Sequence, residues 1–191
     1  MATTQELPTL PFASVPLLEQ WLFEHHAQLA GVWIKMAKKA SGIASVTHDE
    51  VLDVALCYGW IDGQRNSYDD RYFLQKFTPR RPKSLWSKRN IDKVATLKAA
   101  GRMQPSGLAE VEAARQDGRW EAAYDSQKNM VVPEDFLKAL RGNKQAQAFF
   151  NTLSKSNVYA IAWRLATAKK LETRKRRFDA LLAMLERGKF Y

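Results

Sequence analysis

Cysteine is almost missing from this chain. Of 191 residues only Cys57 carries a thiol, so no internal disulfide can form and a disulfide-framed fold is excluded. Long apolar runs are missing too; none approaches the roughly 20 residues that span a bilayer. The opening MATTQELPTLPFASVP has neither a basic n-region nor an apolar h-region. A secretory signal is therefore not expected, and the expected location is the cytoplasm. Histidine is scarce, and His25 and His26 are adjacent, hence about 100° apart on a helix. With no C-x-x-C and no H-E-x-x-H, no metal is expected. There is no Walker loop, no G-x-G-x-x-G and no G-x-S-x-G, so no cofactor and no catalytic residue is assigned. Internal repeats and low-complexity tracts are absent. Cys57 lies in an apolar stretch without a His/Asp arrangement and reads as a small core residue rather than a nucleophile.

What is present is apolar mass and unevenly placed positive charge. With 46% hydrophobic residues, six Trp and nine Phe, the chain can bury a substantial core. Its formal net charge is +10. The window Lys76 to Arg102 holds nine basic residues against Asp92, a local +8. The window Arg164 to Arg177 holds seven against Glu172, a local +6, which leaves −4 for the remainder. Two basic segments on a mildly acidic background favour an anionic partner: a phosphate-bearing ligand, a nucleic acid or an acidic protein. The alternative is that both are solvated helix faces.

The order of patterns predicts an α+β chain, a small antiparallel-type sheet with helices followed by a helical C-terminal part. Residues 1–13 read as a loose lead-in. Ser14 and Pro16 start a helix carrying Leu18, Trp21, Leu22 and His25, closed by Gly31. Val32, Ile34 and Met36 alternate with Trp33 and Lys35, the period of a strand. Thr47-His48-Asp49-Glu50 is a capping box; the helix it opens is apolar nearly all round, except for Asp53, and ends at Gly59. Trp60–Arg65 and Tyr72–Thr78 predict a hairpin with a polar link, and Phe73 and Phe77 share a face opposite Tyr72 and Leu74. Two helices follow, the first capped by Ser84 or Ser87, the second over about Ser106–Asp117. These elements predict a domain over 1–118, a linker over 119–132 and a helical subdomain of about four helices over 133–191, started at Pro133, with Asn157 capping its third helix. The subdomain packs either apart from the first domain or as one unit with it.

Two constellations are candidate sites. Arg80, Arg81, Lys83, Lys88 and Arg89 surround Trp86 between a strand end and a helix start. There, free amides of a first helical turn add to the cationic side chains and suit an anion. Arg grips phosphate or carboxylate with two parallel bonds, and Trp86 either stacks on a ring or belongs to the core. The second is a possible pocket of Asp53, Trp60, Asp62 and Gln64. Asp53, on an apolar helix, needs a partner, and Arg80 or Arg81 is the natural one. The two carboxylates serve either structural ion pairing or acid/base work. Gly63 suits a bulge or the close approach of another backbone. The basic run from Lys169 to Arg177 has acids four residues from Arg176 and Lys175 (Glu172 and Asp179), so part of its charge is expected to pair locally.

Read together, VTHDEVLDVALCYGWIDGQ (46–64), FTPRRPKSLWSK (77–88), AGRMQPSGLAEVEAARQDGRW (100–120) and AKKLETRKRR (168–177) carry a resemblance. From about Trp21 onward the chain resembles the YdeI/OmpD-associated family, whose C-terminal segment is also called the bacteriocin-protection domain. The resemblance implies an α+β first part and a helical second part. It also implies a role in bacterial resistance to bacteriocins or cationic antimicrobial peptides, and association with an outer-membrane porin. It brings no catalytic residue. The expectation is a non-enzymatic stress-resistance protein acting through an anionic partner. The alternatives are a nucleic-acid-binding module and an enzyme using Asp53 and Asp62 beside the basic cluster.

Overall fold

The computed structural model describes residues 6–125 and 129–190. Residues 1–5 of the expected lead-in and 126–128 of the expected linker lie outside the described residues, as does residue 191. The fold is α+β: a four-stranded sheet with helices, then a helical region. It divides into two compact units. The first holds the chain up to Trp86 together with Asn90–Ala123; the second holds Ser87–Arg89 and the described chain from Tyr124 on.

In the first unit the lead-in contains a strand. β1 (Thr9–Pro11) runs parallel to β2 (Val32–Ala37), with Leu10 opposite Ile34. Three residues are too few to show a period, which is why sequence pattern missed it. The crossover is α1 (Val15–His25), with Pro16 in its first turn; Ser14 occupies the N-cap but its side chain makes no cap bond. The helix stops at His25 rather than at Gly31. Gly31 has φ 154, and a Cβ there would lie 2.9 Å from the Phe77 carbonyl oxygen, so this glycine permits a close backbone approach.

Along β2, Val32, Ile34 and Met36 are buried while Trp33, Lys35 and Ala37 are half-buried. α2 (His48–Cys57) opens with the full capping box, Thr47 Oγ1 accepting from the Glu50 amide and Glu50 from the Thr47 amide. Six of its residues are buried, as its all-round apolarity requires, and it packs on α1 and on β3 (Trp60–Ser67). Tight turning at Gly59, φ 77, needs no Cβ.

β3 pairs antiparallel with β4 (Tyr72–Pro79), giving the order β1-β2-β4-β3. The register shifts between Asp62 and Arg65, so Gly63 lies in a bulge. Buried Gln75 fills it, its Nε2 donating to the carbonyls of Gly63 (2.9 Å) and Gln64 (3.3 Å). In the link, Asp69 Oδ1 accepts from the amides of Arg71 and Tyr72, 2.8 and 2.7 Å. α3 (Lys88–Ala99), from Asn90 on, and α4 (Pro105–Gln116) complete the unit. Gly107 brings α4 onto the end of α2: a Cβ there would stand 2.2 Å from the Cys57 carbonyl oxygen.

The second unit contains α5 (Glu134–Arg141), α6 (Lys144–Phe150), α7 (Lys155–Ala166) and α8 (Leu171–Glu186). Phe136, Leu140, Ile161, Leu165, Leu181 and Leu185 form its core, with Phe136 and Phe178 edge to face at 5.0 Å. The cap of α7 is Ser154, whose Oγ accepts from the Asn157 amide. Asn157, expected as the cap, lies inside the first turn, three residues on.

Candidate anion-binding surface

The chain leaves β4 through a short loop held from below by two buried arginines. Arg80 is 5% exposed. Its amide donates to the Gly59 carbonyl, its Nη1 donates to the Leu85 carbonyl at 3.3 Å, and its Cζ lies 3.6 Å from the Trp86 ring centroid. Arg119, 4% exposed, donates Nη1 to the Ser84 carbonyl at 3.1 Å while its Nε bonds both oxygens of Asp117. The loop closes on itself through Ser84, whose Oγ accepts from the Arg81 amide and whose amide donates to the Arg81 carbonyl. Lys83, φ 71, is the one non-glycine residue at positive φ among the described residues, a conformation that costs roughly 1 kcal/mol or more.

This geometry divides the six expected residues. Arg80 and Trp86 face inward; Trp86 is 2% exposed and lies against Trp120 at 5.0 Å, so its ring is part of the core. Arg81 and Lys83 are exposed. Lys88 and Arg89 group with the second unit, where Lys88 Nζ bonds Asp125 Oδ2 at 2.7 Å.

The expected pocket residues are also separated by their partners. Asp53 pairs with Lys93, Nζ to Oδ1 2.7 Å, not with Arg80 or Arg81. The reason is geometric: the Arg80 guanidinium is committed to the Trp86 face and the Leu85 carbonyl, whereas Lys93 on α3 reaches α2. Asp62 lies 3.3 Å from His48 Nε2. Trp60 is buried and donates Nε1 to the His26 carbonyl, and exposed Gln64 donates to Asn66. His48 was legible only as part of the capping box. Its contact with Asp62 spans a helix and a turn, and no local pattern announces it. Among the described residues no three His, Cys, Asp or Glu side chains could hold a metal ion.

A second cationic surface lies on the sheet. Lys35 Nζ sits 4.4 Å from the Tyr68 ring centroid and 4.2 Å from that of Tyr72. Lys76 Nζ sits 5.7 Å from the Trp33 ring. The β2 alternation carried a signal for this, since Trp33 and Lys35 fall opposite the apolar side, but the ring–cation pairing needs the β2–β4 register to be seen.

Half of the six basic residues in the run from Lys169 to Arg177 have partners within the second unit. Arg174 bonds Asp135 at 2.7 Å, Lys175 bonds Asp179 at 2.8 Å, and Arg177 Nη1 donates to the Arg164 carbonyl at 2.8 Å. The Arg174 hydrogen bond, with its charge, holds the Asp135 carboxyl below its usual range.

No helix among the described residues is long and apolar enough to cross a membrane. Comparison with curated proteins and with solved structures returned no match. Two family profiles do match. Residues 10–110 match a domain of unknown function, DUF8412, which takes in just over half of the chain. Residues 129–188 match the family described as Bacteriocin-protection, YdeI or OmpD-Associated. The resemblance expected from Trp21 onward is thus carried by the helical part, and a separate family describes the sheet-bearing part. The chain belongs to the DUF8412 family and carries, as its second part, a Bacteriocin-protection, YdeI or OmpD-Associated domain.

Proposed function

We propose that this protein is a non-catalytic factor in bacteriocin protection that works by binding an anionic partner through its basic surface. The family description supplies the biological setting. The observation that carries the binding is the loop after β4: Arg81 and Lys83 are exposed, and no ion pair joins either to a carboxylate among the described residues. Asp53, Asp62 and Asp117 have other partners: Lys93, His48 and Arg119. A net charge of +10 repels cationic peptides, so capture of such a peptide by charge is disfavoured and an acidic or phosphate-bearing partner is favoured. The two candidate carboxylates are held by separate partners, Asp53 by Lys93 Nζ at 2.7 Å and Asp62 by His48 Nε2 at 3.3 Å.

Retention on immobilised heparin against salt tests the reading. The wild-type protein should be held well above about 0.1 M salt, where screening already acts within about 10 Å. Arg81→Glu with Lys83→Glu should elute distinctly earlier than Lys38→Glu with Lys39→Glu, a pair of exposed residues whose substitution makes the same change in net charge. Equal elution of the two double variants would mean that net charge alone is felt, and the reading would be wrong.

A further inference from the structure

We infer that the open face of the sheet is a stacking platform for single-stranded nucleic acid, which makes that polymer the anionic partner. This rests on the reading above and names its ligand class. The register sorts the strands cleanly. Val32, Ile34, Met36, Gln75 and Phe77 are buried on one face. Opposite pairs on the other face include Trp33 with Lys76 and Lys35 with Leu74, and Ala37 pairs with Tyr72. That other face presents the Trp33 and Tyr72 rings, with Tyr68 beside them in the link, 52% exposed. Its two ammonium groups, Lys35 and Lys76, have no ion pair among the described residues; each lies over an aromatic ring instead. β2 and β4 carry no carboxylate at all.

Rings alternating with cations match a ligand whose own rings alternate with phosphates. An acidic protein would use the lysines and leave three aromatic side chains without a purpose. A duplex shows base edges in its grooves, not base faces, so rings presented by a sheet find no base to stack on. A single strand offers both features: bases that stack on the rings and phosphates that draw the lysines off them. Release of counterions then makes binding fall steeply with salt.

Fluorescence anisotropy with labelled (dT)12 and (U)12, the matching duplex, and heparin retention in parallel test this on the full chain. Either single strand should bind more tightly than the duplex, and the tighter of the two identifies the preferred sugar. Tyr68→Ala and Trp33→Ala should each weaken strand binding by about 5- to 150-fold and leave heparin elution unchanged. Trp33→Phe should recover most of the loss. Tyr68 is exposed enough that its removal tests the platform even if a Trp33 variant fails to fold. Unchanged strand affinity in Tyr68→Ala, or equal affinity for the duplex, overturns the platform while retention on heparin keeps the anionic reading. Loss of both strand and heparin binding in the wild-type protein overturns both.

Discussion

The guanidinium carbon of Arg80 lies 3.6 Å from the centre of the Trp86 ring, and both side chains are buried. A desolvated cation–π contact of this kind is worth about 2 kcal/mol or more. It joins the end of β4 to the start of the loop's far side, because the same guanidinium holds the Leu85 carbonyl. Trp86→Ala should lower stability by about 3–5 kcal/mol, and Arg80→Ala by at least about 2 kcal/mol. Urea denaturation followed by circular dichroism measures both. A neutral outcome for Arg80→Ala would mean that the residue is not part of the framework.

Capping of α2 has a pH signature. The Thr47 amide, and then its hydroxyl, donate to Glu50 and hold that carboxyl below its ordinary value of 4.5. A depressed folded value stabilises the fold above 4.5, and the contribution disappears as pH falls through the lowered value. Thr47→Ala should cost about 1 kcal/mol at neutral pH, and the gap to wild type should narrow in acid. Denaturation curves collected on both sides of the transition check the sign.

Gly107 is a steric test of the α2–α4 approach. An alanine methyl there would meet the backbone oxygen of Cys57 at 2.2 Å, and backbone cannot rotate away as a side chain can. Gly107→Ala should destabilise by about 1–3 kcal/mol, the usual cost of overpacking. Gly63→Ala, whose nearest atom is at 3.7 Å, should be close to neutral. Thermal unfolding of the two variants side by side makes the comparison.

Burial pushes the Cys57 thiol up to about 11, against the opposing pull of Arg102. The reactive thiolate is therefore about 100-fold scarcer than in the unfolded chain at neutral pH. Modification by a disulfide reagent should be at least that much slower for the native protein and should accelerate in denaturant. Rapid native labelling would contradict the burial.

Much of this architecture can be read locally. Thr47 and Glu50 announce α2, the alternation from Val32 to Met36 announces β2, and Phe73 with Phe77 sets the inner face of β4. Each depends on neighbours within one period. What escaped depends on distant partners. β1 is a strand only because β2 lies beside it, Asp53 meets Lys93 because α2 and α3 are adjacent, and Asp62 meets His48 across a helix and a turn. The candidate surface divides the same way. The density of charge around Trp86 was visible in the letters, but which cations turn inward was decided by the Trp86 ring and two backbone carbonyls.

β1 has a meaning beyond its three hydrogen-bonded residues. It covers the outer edge of β2, and Pro11, lacking an amide donor, ends the pairing there. Stripped of this short cover, β2 would offer free donors and acceptors beside Val32, Ile34 and Met36, a template for a strand from another molecule. Trimming the chain before α1 should therefore be felt first as self-association and loss of solubility, with the helices still folded.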